Sequence, residues 1–454
     1  MAILFRNCAA IVTSATAPVI RDADLLTDGP AIAAIGKGLT VPEGAEIIDA
    51  TGWFLFPGLV NTHHHFFQTF VRNRVELDWT RLSVIEWLDT IYPIFSRLSE
   101  DCFYHSSLTA MAELIKHGCT TAFDHQYCFP RHTGRTGIVD RQFQAAERLG
   151  MRFVAGRGGN TLPKSEGSTI PDAMLETTDE FITDCANLID RHHDAGRFSM
   201  KQVAVAPCQP VNCYLDTFTE SVRLARDKGV ILHTHVGEGE SPVIEARHGV
   251  RTVEYLERIG FCGPDTFYAH CWELTRDELA RMAATRTGVG HCPEPVYLVG
   301  AEVTDIPAMA ALGVRVSLGC DGTASNDNSN LMHAVHSGYM LQCLVAGTRA
   351  DPVPLPSAFL GYATEGGADA LGRRDIGRLA PGMAADLFAI DTRRMDYIGT
   401  RHDPQSLIAK VGVGMPTDLT MINGRIVWAK GEFPGLDEAQ MFAEAEAVLT
   451  ATLS

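Results

Sequence analysis

Residues 54–65, FLFPGLVNTHHH, carry an apolar run straight into three consecutive histidines. Such a run, bounded by turn residues, reads as a buried strand. In a strand, residues two apart face the same way, so His63 and His65 share a face and His64 points to the other. Two imidazoles side by side at a strand end are a pair of metal ligands in waiting, and a tetrahedral catalytic site wants about three protein ligands.

Downstream, the texture repeats as apolar strand followed by amphipathic helix. TTAFDHQ precedes GIVDRQFQAAERLG, RFVAGRG precedes TDEFITDCANLIDRHH, and QVAVAPC precedes DTFTESVRLARDKG. VILHTHVGE, TFYAHCW, VGHCP and RVSLGCDG continue the series. With the strand before His63 these make eight β/α units, which predicts a (β/α)8 TIM barrel over residues 57–375 with its chemistry at the C-terminal strand ends. Upstream, residues 1–56 hold short strands separated by turn residues, with Asp28-Gly29 as a hairpin-type turn. Residues 376–454 again contain strands, in GRLAPGMAADLFAID and LTMINGRIVW, followed by a helix. The two ends are expected to pair into one small β-sandwich domain interrupted by the barrel.

Composition narrows the function classes. The chain has 454 residues and a formal net charge of -17, and no window concentrates Lys and Arg as a surface tracking phosphates would. Nucleic acid is therefore not an expected partner. Twelve cysteines are scattered through apolar stretches without a CxxC pair, which reads as reduced thiols. The N-terminus makes a poor signal peptide and no uncharged apolar 18-residue segment follows, so a cytoplasmic protein without a membrane partner is expected.

The strand ends supply further polar groups. LHTHVGEGE carries His233 and His235 on one face and then Glu238; His235, nearer the strand's C-terminal edge, is favoured as a ligand and His233 as a supporting or simply buried group. YAHCW brings His270 and LGCDGTASND brings Asp321. Singly, each is a common hydrogen-bonded residue or turn. Jointly, HxH, HxxE, His and Asp on strands one, five, six and eight of one barrel point to a metal site.

PGLVNTHHH, HTHVGE, YAHCW, LGCDGTASND and GRLAPGMAADL resemble the amidohydrolase superfamily over essentially the whole chain, within its branch of aminohydrolases acting on triazines and purines. HHHFFQTFVRN, LDWTRLSVIEWLDTIYPIF, AFDHQY, EGSTIPDAM and HCPEPVYLVGAEVTDIPAMAA are similar to the hydroxyatrazine ethylaminohydrolase subfamily. The resemblance implies His63, His65, His235 and Asp321 as ligands of one divalent metal ion, zinc first and iron or manganese as alternatives, with Glu238 and His270 beside it. Binuclear relatives use a Lys at the end of strand four; VAVAPC has none, which favours a single ion. The resemblance also implies a homo-oligomer, a dimer or tetramer.

A divalent ion lowers the pKa of a bound water from about 15.7 toward about 7, so water is the expected nucleophile. Asp321 is placed to take its proton, Glu238 to protonate a ring nitrogen and assist the leaving amine, and His270 to orient the nucleophile. The expected substrate is a small neutral N-heterocycle losing ammonia or an alkylamine, a hydroxytriazine before an 8-oxoguanine-like purine; a cyclic-amide hydrolase and a non-catalytic barrel are more distant readings. Gln68 is a candidate for holding the ring, or a capping amide; Trp87 a stacking partner, or core; His291 a contact to the leaving group, or a loop support. Asp124, His125 and Arg157 read as scaffolding of the barrel mouth. Residues 66–98, rich in aromatics, read as a lid over a flat ligand or as a packing excursion.

Overall fold

A computed structural model describes residues 1–74, 76, 82, 84–349 and 351–453, apart from the side chains of residues 84 and 85. Eight parallel strands form the barrel. They are preceded in the chain by β1 (Ala2–Ile11), β2 (Ile20–Asp28), β3 (Ala31–Gly36), β4 (Glu46–Asp49) and β5 (Trp53–Pro57). The barrel strands are β6 (Leu59–Asn61), β7 (Cys119–Gln126), β8 (Arg152–Gly159), β9 (Lys201–Pro207), β10 (Leu232–Val236), β11 (Thr266–His270), β12 (Gly288–His291) and β13 (Arg315–Leu318). Each pairs with its sequence neighbour. The ring closes where the Thr62 N–H donates to Leu318 O at 3.1 Å and the Asp321 N–H to His63 O at 3.0 Å. These are the eight runs read as strands from the repeated alternation of apolar strand and amphipathic helix, and most of their residues are buried, as expected when both faces of a parallel sheet are covered.

The helices seat their apolar stripes on the barrel. Helix Ile138–Leu149 buries Ile138, Val139, Gln142, Phe143, Ala145, Ala146 and Leu149, the spacing of one helical face. Inside the ring, Val60, Phe123, Val154, Ala204 and Phe267 make a separate apolar layer, so the barrel is a packed core and not a pore.

The chain ends share one mixed sheet, ordered β16-β15-β14-β5-β1-β2-β3, where β14 is Leu387–Asp391, β15 Leu419–Ile422 and β16 Arg425–Ala429. Strand β4 adds to β1 in parallel, and β14 runs antiparallel to β5. Phe5, Leu25, Leu55, Leu387 and Met421 pack as its core. The Asp28-Gly29 turn joins β2 to β3 as its sequence suggests.

All twelve cysteines are free thiols, all but Cys262 and Cys343 buried, in keeping with the absence of paired spacing. Among the described residues no helix is long and apolar enough to cross a membrane. Between β6 and helix Glu100–Lys116 lie a short 3-10 helix, Phe66–Val71, and helix Val84–Phe95. Residues 75, 77–81 and 83 of this insertion lie outside the described residues.

Candidate metal centre and active site

The strand ends converge as their sequence order suggests. His63 and His65 follow β6, His235 sits in β10, and Asp321 follows β13. His63 Nε2 lies 3.4 Å and His65 Nε2 3.2 Å from Asp321 Oδ1, and His235 Nε2 lies 3.2 Å from His65 Nε2. His64 points away, its Nε2 at 2.9 Å from Ser329 Oγ.

The hydrogen-bond network fixes which nitrogen of each ring is free. His65 Nδ1 lies 2.8 Å from His125 O and His235 Nδ1 2.8 Å from Cys208 O. A carbonyl only accepts, so both Nδ1 atoms carry the proton and both Nε2 atoms present lone pairs. His63 Nδ1 faces His233 Nε2 at 2.9 Å, while His233 Nδ1 faces Phe267 O at 3.0 Å. The second contact makes His233 Nε2 an acceptor, so His63 also donates from Nδ1 and keeps Nε2 bare. Three imidazole lone pairs and a carboxylate oxygen thus point at one another in a buried site where neither His63 Nε2 nor Asp321 Oδ1 has a hydrogen-bond partner. Buried acceptors left facing each other are costly, and a divalent cation between them removes that cost. His63, His65 and His235 group as candidate metal ligands, and His63 groups likewise with Asp321 and His270. The donor set, neutral imidazole and carboxylate with oriented outer partners, is that of a catalytic zinc-type site. The one lysine of β9, Lys201, sits at the opposite end of that strand, paired with Glu147.

Burial pushes the proton affinities of His63 and His235 well below the usual imidazole value, and those of His233 and His270 to about 3 and about 4. These rings are therefore neutral near pH 7, as metal binding requires. Asp321 and His270 adopt left-handed backbone conformations, φ +66° and +68°, strain of the kind found at functional sites. The following Gly322 packs against the Gln68 amide, and a Cβ there would stand 2.0 Å from Gln68 Oε1 and displace it.

Beside the cluster lies Glu238, its Oε1 3.2 Å from His270 Nε2 and its Oε2 3.3 Å from Gln209 Nε2. Burial, and after it the charges of Asp321, Glu240 and Glu273, raise its pKa well above the carboxylate norm. Glu238 thus holds a proton more readily than a surface glutamate, as a general acid must.

The site opens into a cavity of about 350 Å³ whose apolar lining includes Trp87, Leu88, Tyr92, Val211 and Val243. Ligand cavities run from roughly 300 to 1,000 Å³, so this one suits a single small ring with short substituents. Trp87, Leu88 and Tyr92 all come from the helix of the 66–98 insertion. Gln68 also lines the cavity; its Oε1 accepts the Ala324 N–H at 3.2 Å and its Nε2 donates to Tyr127 Oη at 3.3 Å. His291 ends β12 fully buried, burial takes its pKa to about 3, and it is not among the lining residues. The expected scaffolding residues are occupied as scaffolding. Asp124 accepts from the Phe66 N–H and from Gln142, His125 pairs with Ala206 O, and Arg157 with Glu176 and Asp184.

Gln209, Tyr127 and Glu240 also reach the site, and the sequence reading did not single them out. Tyr127 follows the strand-end FDHQ, Gln209 follows the PC that closes β9, and Glu240 completes the EGE after His235; each is a polar residue just past a barrel strand, which was the available signal.

Comparison with known proteins agrees with this geometry. Residues 54–427 match the Amidohydrolase family. The chain is 57% identical over 434 residues to the hydroxydechloroatrazine ethylaminohydrolase of Pseudomonas sp. (strain ADP), covering 95% of this chain and 90% of that protein. It is 34% identical over 433 residues to the 8-oxoguanine deaminase of Pseudomonas aeruginosa, covering 95% and 94%. The crystal structure of atrazine chlorohydrolase from Arthrobacter aurescens TC1 complexed with zinc superposes with a TM-score of 0.92 at 29% identity, over 98% of this chain and 100% of that one. With a parallel eight-stranded barrel, a strand-end histidine and carboxylate cluster and a family match spanning most of its length, this chain belongs to the amidohydrolase family.

Proposed function

We propose that this hydrolase replaces an alkylamino group on a hydroxytriazine ring by water, releasing the alkylamine and leaving a ring carbonyl. The observation that carries the reading is the position of Glu238 between the cation-binding cluster and an apolar cavity of one-ring size. The 57% identity to an ethylaminohydrolase supports the alkylamine as leaving group.

His63, His65, His235 and Asp321 would hold one divalent ion, zinc by analogy with the triazine hydrolase neighbour. When bound, that ion supplies a Lewis acid and a water acidic enough to ionise near neutral pH. The Asp321 carboxylate, whose Oδ2 is steadied by the Ser325 hydroxyl at 2.8 Å, takes the proton of the attacking water. Glu238 delivers its proton to the ring nitrogen beside the reacting carbon; its emptied carboxylate then passes the hydroxyl proton of the adduct to the departing amine, the C–N bond breaks with its electron pair leaving on the nitrogen, the ring carbonyl remains, and the proton held by Asp321 restores Glu238. His270, neutral, orients the nucleophile. Gln68, with its amide held at both ends, meets the polar edge of the ring; Trp87 and Tyr92 cover its faces and alkyl arm. His291 lies away from the cavity lining and is not assigned a substrate contact. We further propose a cytoplasmic location and a dimer or tetramer.

The test is a product-resolved screen of zinc-loaded protein against hydroxytriazines carrying ethylamino, isopropylamino and amino groups, with 8-oxoguanine alongside. The reading expects alkylamine release from the hydroxytriazines. Ammonia from 8-oxoguanine, with no alkylamine from any triazine, would replace it with a purine deaminase.

A further inference from the structure

Glu238 begins a sharp loop between β10 and helix Ser241–His248, and a loop is a poor place from which to aim a proton donor unless something fixes it. Gly237 has φ +78°, and a Cβ there would meet Trp272 N at 2.9 Å and Cys271 Cα at 3.0 Å. The chain is thus folded tightly against the end of β11, and the N–H groups of residues 237 and 238 turn inward, away from any strand partner. Glu240 receives both: its Oε1 accepts the Gly237 N–H and its Oε2 the Glu238 N–H, each at 2.7 Å. Its side chain is 4% exposed. The outer side of the loop is held separately, by the Trp272 N–H to Gly237 O at 3.2 Å and by the Ser241 N–H to Glu273 Oε1 at 3.2 Å.

We infer that Glu240 is a positioning residue for the proposed acid, its carboxylate clamping two successive backbone amides so that the Glu238 side chain is presented between His270 and Gln209. Bonds from N–H groups to an ionised carboxylate are short and strong. Few other side chains can serve two parallel donors at once. Glutamine is nearly the same shape but offers one oxygen and turns an NH2 toward the other donor, leaving a partly buried amide unpaired. Alanine leaves both unpaired. The loss is therefore graded, and it falls on the aim of Glu238 more than on substrate affinity.

This inference rests on the role proposed above for Glu238, and its test separates the two. In zinc-loaded enzyme, Glu240→Gln is expected to lower kcat about tenfold and Glu240→Ala about a hundredfold, with KM changed less than about twofold. Zinc stoichiometry stays at the wild-type value. Amide hydrogen exchange, which needs no substrate, is expected to speed up at one of the Gly237 and Glu238 amides in Glu240→Gln and at both in Glu240→Ala, while the Trp272 amide stays protected. Wild-type kcat in both variants overturns the inference, and so does unchanged exchange at the two amides. A kcat loss accompanied by zinc loss overturns it as well, since the role would then be structural. If the wild type releases no amine from any hydroxytriazine, the substrate reading fails while the exchange data still decide for or against the clamp.

Discussion

The two ends of the barrel treat buried polar groups in opposite ways. At the N-terminal end, facing the mixed sheet, the buried charged side chains are paired. Arg152, fully buried, pairs with Asp386, donates to Ser199 O at 3.0 Å and reaches Asn423 Oδ1, while Asp386 Oδ1 also accepts the Asn423 N–H at 2.7 Å. Arg373 and Asp375 form a two-bonded pair at 2.9 Å, completed by the Phe198 N–H. At the C-terminal end, His63 Nε2, Asp321 Oδ1 and His270 Nδ1 are buried without hydrogen-bond partners, and the backbone at His270 and Asp321 is strained. One end holds the two parts of the molecule together; the other leaves these atoms unpaired, as the proposed cation and substrate site requires. The contrast is the usual division between a stabilising and a catalytic barrel face.

Variants on each side test whether the division is real. Glu238→Gln, at the catalytic end, is expected to lower turnover by about 10²–10⁴-fold with zinc content and melting temperature unchanged; steady-state kinetics and metal analysis check both. Arg152→Met, at the other end, strands the Asp386 carboxylate in the interior and is expected to cost about 3–5 kcal/mol of unfolding free energy in urea titrations, with kcat/KM of the folded fraction unchanged. If instead Arg152→Met abolished zinc binding while Glu238→Gln destabilised the fold, the comparison would be broken.

Smaller effects sharpen it. His233→Phe removes the acceptor that orients His63 and is expected to weaken zinc affinity about 10–100-fold, read by competition with a chelator. Asp375→Asn gives the smallest and most pH-dependent change. Burial opposes the Asp375 anion, but Arg373 and the Phe198 N–H outweigh it and hold its pKa at about 2, below the ordinary 3.8. A depressed carboxylate pKa adds stability above the unfolded value and loses it as pH falls through the folded one. The asparagine variant is therefore expected to be about 1–2 kcal/mol less stable at pH 7, with the gap narrowing below pH 4 and closing toward pH 2. A gap that stayed constant with pH would show that the ion pair is not its source.

How much of this was legible in the sequence depends on the range of the interaction. The eight barrel strands could be read because each is a short apolar run followed by its own helix. The outward turn of His64 followed from strand alternation alone. His235 could be preferred over His233 from its place near the strand edge, but the bond from His63 to His233 joins residues 170 apart, and no local pattern announces it. Pairing of β4 in parallel with β1 is hidden for the same reason. The cavity wall is assembled from the insertion helix, the loop after β9 and the loop and helix after β10, so Trp87 carried a signal through its aromatic segment, Gln209 only through its place just past a strand, and Val243 none. Glu240 stood two residues from Glu238 in plain view; what the sequence does not show is that its side chain turns back onto the loop that precedes it.

Four side chains from three distant parts of the chain are proposed to share one cation. A crystal of the zinc-loaded protein, measured on both sides of the zinc absorption edge, tests it directly. The expected result is one anomalous peak per chain, within bonding distance of His63 Nε2, His65 Nε2, His235 Nε2 and an Asp321 carboxylate oxygen. A peak at any other cluster, or zinc-loaded crystals with no peak among these four groups, would contradict it.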